Sequence, residues 1–394
     1  MFTKFICAAL ALAGLAASAA ADEPLLRGTG DLGIIIERAT GSVQIVDTTK
    51  RESIARVTGF GDLSHASAVY SRDERYAYIF GRDGGLTKLD ILTAKIVKRV
   101  VQGGNSIGGA ISDDGKLVAV SNYEPGGVKV FDAASLELVA DIPATHGAKG
   151  ETSKTVGLVD APGRRFVYSL WDAGETWIAD FSTADAPKIT KLADIGSNPY
   201  DGLISGDGRH YIAGLFGEDG LAHIDLWKTE IRAERILDNY GRGEEKLPVY
   251  KMPHLEGWAL AGDRFILPAV GRHELLVVDA RTFEEVGRIP VHGQPIFAVA
   301  RPDGRQVWVN FAHPRNDTIQ VVDVPSLKVV HEFKPGPAAL HMEFTPRGHE
   351  VWISVRDAGR VDIYDTQTFK KTGEIAAESP SGIFFTARAH RTGL

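Results

Sequence analysis

Short apolar runs that end in aspartate recur along the chain. Examples are VQIVD at 43–47, VKVFD at 128–132 and VDIYD at 361–365, each followed by a short turn. The eight aspartates, spaced 42 to 54 residues apart, are Asp47, Asp90, Asp132, Asp180, Asp225, Asp279, Asp323 and Asp365. Repeats of roughly 40–50 residues made of short strands are typical of a β-propeller with four strands per blade. The pattern therefore predicts an all-β, eight-bladed β-propeller.

The order of strands within the repeat predicts how the ring closes. An Asp-Gly turn and a second strand precede several of the runs, as in SDDGKLVAV at 112–120, and a further strand before the turn should line the axis. Seven of these inner strands precede their turns, but the eighth, SGIFFTA at 381–387, lies near the C-terminus. We expect it to pair with the N-terminal strands in one blade, so that residues 22–394 form a single domain.

The repeated aspartates invite a metal-binding or acid-base interpretation. A residue that recurs in every blade at the same strand end is better explained by structure. Aspartate in such turns accepts hydrogen bonds from the backbone N–H groups that follow it. We therefore expect the functional residues among those that do not repeat.

Residues 1–21 have the three regions of a secretory signal peptide. Lys4 precedes an apolar run at 5–17, and small residues lead to a predicted cleavage after Ala21. The run is too short for a membrane anchor, so we expect an exported protein in the periplasm. Cys7, the only cysteine, lies in this segment, which leaves the mature chain without a thiol for a disulfide, a cysteine nucleophile or covalent haem attachment.

The charge balance narrows the range of partners. Lys and Arg total 44 against 51 Asp and Glu, a net charge of -7, and no basic tract stands out. Because binding to a nucleic acid backbone needs clustered positive charge, nucleic acid is not expected as a partner.

Polar residues that do not repeat concentrate where a propeller binds ligands. The starts of the inner strands and the loops between second and third strands meet at one end of the central funnel. The candidates at these positions are His65, Arg82, Tyr123, Tyr200, Asp201, His254, Arg272 and Arg356. Arginine pairs with carboxylates, aromatic rings cover flat ligands and imidazole ligates metals, so the mixture suits a large, flat, polyanionic molecule.

One segment carries a family resemblance. SHASAVYSRDERYAYIFGRDGGLTKLD at 64–90 resembles the NirF family of haem d1 biosynthesis proteins, relatives of the haem-d1 propeller domain of cytochrome cd-type nitrite reductase. The resemblance extends over the chain after residue 21. It implies that His65 is an axial ligand of a tetrapyrrole iron and that Arg82, in the GRDG loop, faces an acidic substituent. Tyr123, Arg272 and Arg356 are then further cofactor-binding candidates.

On the side of the tetrapyrrole opposite His65, the residues of this sequence differ from those of the reductase. Where the reductase has histidines above the iron, this sequence offers Tyr200 and Asp201, or His254. The chain also lacks the CxxCH motif that attaches c-type haem. The resemblance thus implies a maturation protein that binds haem d1 or its iron-containing precursor and takes part in a late conversion, such as dehydrogenation or side-chain modification. Tyr200, Asp201 and His254 are the candidates for proton transfer.

A carrier is the alternative to this enzyme. A non-catalytic protein that hands the cofactor to nitrite reductase or to another maturation protein would need the same His and Arg contacts. The sequence does not separate the two.

A glycine pattern raises a second cofactor. GTGDLG at 28–33 matches G-x-G-x-x-G, the pattern of dinucleotide-binding turns. Such turns need a helix whose N-terminus receives the pyrophosphate, and here a β-strand follows instead. We expect a lead-in to the first blade and no NAD site.

Overall fold

Eight four-stranded antiparallel sheets form the blades of the molecule. A computed structural model describes residues 28–183, 186–238, 257–269 and 271–393. The predicted signal peptide, with Cys7, therefore lies outside the described residues. The strands are numbered β1 to β34 in chain order. The first three belong to blade 8, which the last strand completes, and span Leu32–Glu37, Ser42–Asp47 and Glu52–Thr58.

Blades 1 to 4 follow in chain order. Blade 1 contains β4 to β7, at Ser67–Tyr70, Tyr76–Phe80, Gly85–Asp90 and Lys95–Val101. Blade 2 contains β8 to β11, at Asn105–Ile111, Leu117–Glu124, Val128–Asp132 and Leu138–Ile142. An extra hairpin, β12 and β13, spans Thr145–His146 and Glu151–Thr152. Blade 3 contains β14 to β17, at Thr155–Ala161, Arg165–Leu170, Glu175–Asp180 and Lys188–Leu192. Blade 4 contains β18 to β21, at Pro199–Ile204, His210–Leu215, Leu221–Asp225 and Ala233–Ile236.

Blades 5 to 8 complete the ring. Blade 5 contains β22 to β25, at Ala259–Ala261, Arg264–Ala269, Glu274–Asp279 and Glu285–Pro290. Blade 6 contains β26 to β29, at Pro295–Ala300, Gln306–Phe311, Ile319–Asp323 and Lys328–Phe333. Blade 7 contains β30 to β33, at Ala339–Phe344, Glu350–Val355, Arg360–Asp365 and Lys371–Ala376. Strand β34, at Pro380–Phe385, closes blade 8, and two 3₁₀ turns span Arg356–Ala358 and Thr386–His390.

The predicted fold and its closure are confirmed. Strand β34 pairs antiparallel with β1, so that Gly33 lies opposite Phe385 and Ile35 opposite Ile383. The closure requires a glycine at position 33, because a Cβ atom there would overlap the Phe385 ring. The preceding residues, 28–31, lead through a turn into β1, as the sequence predicts.

The hydrophobic core lies between neighbouring blades. Middle strands such as β6 and β31 are buried along their whole length, whereas the residues of outer strands such as β3 are exposed or half-buried. Large aromatics join the blades: the Trp352 ring meets the Phe385 ring edge-on at 5.3 Å, and Trp308 meets Phe344 at 6.0 Å. Packing of both sheet faces explains why the middle strands read as continuous apolar runs.

The structural role of the repeated aspartates is also confirmed. Each of the eight carboxylates accepts a backbone N–H from the turn that follows its strand. The bond from Ser135 to Asp132 measures 2.7 Å, for example. The aspartates stabilise the turn at the end of the third strand, which is the same in every blade.

The C-terminal segment 386–393 crosses the channel at the end where the inner strands finish. Arg388 forms a buried ion pair with Glu343 near the end of β30, with nitrogen-to-oxygen distances of 3.0 and 2.6 Å. The N–H of Gly393 donates to Asp160 of β14 at 2.8 Å, and Arg72, in the turn after β4, donates to the Ala389 carbonyl. Contacts with blades 1, 3 and 7 place this segment across the channel.

Candidate functional site

A cavity of about 1180 Å³ lies at the other end of the channel, where the inner strands begin. Its walls combine apolar side chains, including Val156, Leu158, Phe297, Phe311 and Phe384, with polar groups from several blades. Six predicted residues line it together: His65, Arg82, Tyr123, Tyr200, Asp201 and Arg356. Residues up to 291 positions apart in the chain, from His65 to Arg356, thus share one cavity.

The loops that carry His65 and Arg82 are tied to each other. His65 is half-buried and precedes β4, while Arg82 lies in the loop between β5 and β6. The backbone N–H of Arg82 donates to the Asp62 carbonyl at 2.8 Å, and the N–H of Ser64 donates to the Asp62 carboxylate, also at 2.8 Å. The Asp83 carboxylate forms an ion pair with Arg99, with a nitrogen-to-oxygen distance of 2.6 Å. These bonds hold the two loops together on one side of the cavity.

Tyr123 from blade 2 and Tyr200 from blade 4 line another part of the wall, and Trp171 of blade 3 packs beside Tyr200. The hydroxyl groups of Tyr123 and Tyr200 are hydrogen-bonded at 2.9 Å. The Arg82 guanidinium lies 6.0 Å from the centre of the Tyr123 ring, and Trp171 meets the Tyr200 ring edge-on at 5.4 Å. Burial raises the pKa of both tyrosines, so the two hydroxyls keep their protons at neutral pH.

Asp201 is the most unusual carboxyl group of the cavity. Its side chain is buried, with 4% of the residue exposed, and within the described residues its Oδ2 atom has no hydrogen-bond partner. Burial raises the pKa of Asp201 well above its usual value. Burial in this way disfavours the charged form of the carboxyl group.

Comparison with known proteins connects this site to a family. The family model described as Cytochrome D1 heme domain matches residues 27–389. The protein NirF of Pseudomonas aeruginosa is 62% identical over 94% of this chain and 95% of its own. NirF of Stutzerimonas stutzeri is 60% identical over 98% of both chains. The chain belongs to the NirF family.

A solved structure extends the comparison to three dimensions. The dihydro-heme d1 dehydrogenase NirN in complex with DHE is 27% identical to this chain, with a TM-score of 0.81 over 94% of this chain and 78% of NirN. The resemblance of the propeller to this d1 protein agrees with the fold predicted for a NirF family member.

The structure adds a cavity residue, Arg38, that the sequence analysis missed in this NirF family chain. Arg38 lies in the loop between β1 and β2, beside Arg356 and Asp62, and is half-buried. Burial and the positive charge of Arg356 lower its pKa. Among the described residues, the guanidinium groups of Arg38 and Arg82 form no hydrogen bond or ion pair, whereas Arg356 pairs with Asp357 at 2.7 Å. Like Arg82, Arg38 lies in the loop between the second and third strands of its blade, once β34 is counted as the inner strand of blade 8.

His341 is a second polar group that the site assignment left out. It lies on β30, lines the cavity and is 8% exposed. Its Nδ1 atom accepts the backbone N–H of Ile383 at 3.1 Å, and burial lowers its pKa to about 4. The imidazole is therefore neutral and carries its hydrogen on Nε2.

Two predicted residues are not brought into this site. His254 lies outside the described residues. Arg272 is exposed, in the loop between β23 and β24, and is not among the residues that line the cavity. Hydrogen bonds from Arg288, and to a smaller extent the charge of Arg272, lower the pKa of Glu285 on the outermost strand of blade 5. The position of Arg272 is thus beside that strand.

The described ranges contain neither a cluster of metal-ligating side chains nor a membrane-spanning helix. Within them, no three His, Cys, Asp or Glu side chains are grouped so that they could hold a metal ion. The same ranges contain no helix with the length and apolar character needed to cross a bilayer.

Proposed function

We propose that this protein acts in haem d1 biosynthesis by binding an iron-containing d1-type tetrapyrrole in the funnel cavity. The observation that carries the proposal is the convergence of His65, the arginines and the aromatic residues on one cavity of about 1180 Å³. Membership of the NirF family and the likeness to NirN, whose name describes a dihydro-heme d1 dehydrogenase, support the choice of ligand.

The residues present fit such a ligand. Apolar side chains such as Val156, Leu158 and Phe297 suit the faces of a conjugated ring, because they remove apolar area from water. The Oδ2 atom of Asp201 is a buried polar atom that a ligand group can satisfy. His65 is the residue that would ligate the iron, since a neutral imidazole nitrogen is a good iron ligand.

The cavity arginines would hold acidic substituents at the ring edge. Among the described residues Arg38 and Arg82 form no close ion pair, although the charges of both act on the nearby Asp62 carboxylate, so no close pair must break before a ligand carboxylate binds. Arginine forms paired hydrogen bonds with carboxylates in a fixed geometry, which would fix the rotation of the ring in the cavity.

We further propose that the bound tetrapyrrole undergoes a late conversion at its periphery. The iron macrocycle would supply the redox-active conjugated system, and the protein would supply orientation and protons. Burial raises the pKa of Tyr123, Tyr200 and Asp201 and so favours their protonated forms, which would suit them to hold and donate protons. Export to the periplasm and transfer to nitrite reductase or other maturation proteins belong to the same proposal.

The test is a titration of the signal-free protein with haem d1 and with protohaem, followed through the absorption bands of the iron tetrapyrrole. Wild type is expected to prefer haem d1, and His65→Ala is expected to change the iron spectrum because the axial nitrogen is lost. His349→Ala, an exposed histidine in the turn between β30 and β31, is the matched control. An unchanged spectrum in His65→Ala would contradict the ligand assignment.

Turnover separates the conversion from a carrier role. A change in the mass of a bound precursor, dependent on Tyr200 or Asp201, supports the conversion. Release of an unchanged tetrapyrrole to nitrite reductase supports a carrier instead.

A further inference from the structure

The inner strands contribute first to the cavity and then to the far end of the channel. In β14, Val156 and Leu158 line the cavity, and Asp160 lies further along the same strand. In β30, His341 lines the cavity and Glu343 follows it. Alternate residues of a strand point to the same side, so Asp160 and Glu343 also face the axis of the ring. Both carboxyl groups are nevertheless buried, which a channel open to water at this end would not allow.

Residues 386–393 cover these two carboxyl groups. The buried Arg388 guanidinium pairs with Glu343 at 2.6 Å, and the backbone N–H of Gly393 donates to Asp160 at 2.8 Å. The turn after β4 bonds to the backbone of the same segment. Because a buried ion pair is costly to break, these contacts hold the segment across the channel.

The layer between this segment and the cavity is thin at Phe384. The Phe384 ring lines the cavity, and its centre lies 4.9 Å from the Arg388 guanidinium and 5.4 Å from the centre of the His341 ring. The hydroxyl of the buried Tyr70 donates to the Phe384 carbonyl at 2.7 Å. One aromatic side chain thus contacts both the cavity and the C-terminal segment, so the segment supports the cavity from the far end.

We propose that residues 386–393 form the floor of the cavity and close the channel, so that a ligand enters and leaves through the mouth where the inner strands begin. The buried pair of Arg388 and Glu343 fastens this floor, and the Phe384 ring rests on it. This role holds for any ligand of the cavity. Delivery and release of a ligand then use the same face of the ring.

The test measures how fast introduced thiols react with a small charged methanethiosulfonate. Cys7, in the predicted signal peptide, is the only cysteine of the sequence, so the signal-free protein has no thiol of its own. Asp160→Cys places a thiol beside the Gly393 N–H and should react slowly in the full chain. Deletion of residues 386–394 should speed this reaction on the order of a hundredfold, because a cover held by a buried ion pair is lost.

A second thiol tests the entrance. Val69→Cys, on the cavity wall, should react in the unloaded full chain, because the reagent enters through the mouth. With mesohaem bound, this thiol should be protected in the full chain. In the loaded chain without residues 386–394 it should react again, because the reagent then arrives from the far end.

Ala261→Cys is the matched control. Ala261 is buried at the end of β22, in the core between blades 5 and 6, so its reactivity should not change on deletion of the segment. Arg388→Ala keeps the length of the chain but removes the ion pair, and it should also speed the reaction of Asp160→Cys. This variant tests the floor even when the shortened chain does not fold. Thermal unfolding of each variant is measured in parallel.

Three results would refute the floor. They are equal rates for Asp160→Cys in the full and shortened chains, an equal rise for Ala261→Cys, which would mean that the whole ring loosens, and protection of Val69→Cys in both mesohaem-loaded chains. If mesohaem does not bind to wild type, the proposed function fails instead, and the rates of Asp160→Cys still decide whether the segment closes the channel.

Discussion

Arg38 offers the sharpest test of how the cavity recognises acidic groups. It is half-buried, lines the cavity and forms no ion pair within the described residues. Burial, and after it the positive charge of the neighbouring Arg356, lowers the Arg38 pKa, so an anion bound here would relieve repulsion between two cations. We predict that Arg38→Gln weakens the binding of a tetrapyrrole dicarboxylate.

The expected magnitude follows from the environment of the guanidinium. A hydrogen bond to a charged group contributes about 1.5–3 kcal/mol, and the lower figure applies because Arg38 is only half-buried. A loss of about 1.5 kcal/mol corresponds to roughly tenfold in dissociation constant.

The assay is an absorbance titration with mesohaem and with its dimethyl ester, at low and at high salt. Arg38→Gln should weaken binding of the free acid about tenfold and leave binding of the uncharged ester nearly unchanged. Arg272→Gln is the matched control, because it removes the same charge from a loop that does not line the cavity. Its affinity should equal that of wild type.

Two results would refute this reasoning. Equal losses of affinity in Arg38→Gln and Arg272→Gln would mean that binding depends only on the overall charge of the protein. A loss of affinity in Arg272→Gln alone would mean that Arg272, which the sequence suggested, binds the acidic groups of the ligand. Those groups would then lie away from Arg38.

Two further predictions concern the channel end that the C-terminal segment crosses. Glu343→Gln should lower the free energy of unfolding by about 3–5 kcal/mol in urea, because it leaves Arg388 buried without its carboxylate. Glu234→Gln, which breaks an exposed pair with Lys228, should cost less than about 1 kcal/mol, and similar losses in the two variants would contradict this account. Burial raises the pKa of Asp160 to about 6, so the folded protein holds this proton more tightly than the unfolded chain, and stability falls as pH rises from 3.8 to about 6. Asp160→Asn should remove that part of the fall, about 3 kcal/mol, and stability-pH curves of the same slope over this window would rule the explanation out.

The fold could be predicted because its signals are local. Alternating apolar residues, Asp-Gly turns and an aspartate at each third-strand end act within a few residues, and eight repetitions of the pattern gave the number of blades. The position of SGIFFTA after the last repeat even predicted the pairing of β34 with β1. The longest spacing, between Asp225 and Asp279, includes residues 239–256, which lie outside the described part of the chain.

The site could be predicted only in part, because membership of a loop does not fix the direction of a side chain. The same rule selected Arg82, which lines the cavity, and Arg272, which lies beside the outermost strand of blade 5. Arg38 was missed because its loop belongs to a blade whose inner strand comes more than 340 residues later.

The sequence by itself determined the repeat, the closure of the ring and six of the residues that line the cavity. The tertiary structure decided which candidates share a cavity, that Tyr123 and Tyr200 are bonded to each other, and that Asp201 is buried with its Oδ2 atom unsatisfied among the described residues. The physical reason is that hydrophobic periodicity and turn chemistry act over neighbouring residues, whereas burial and charge pairing depend on distances between blades.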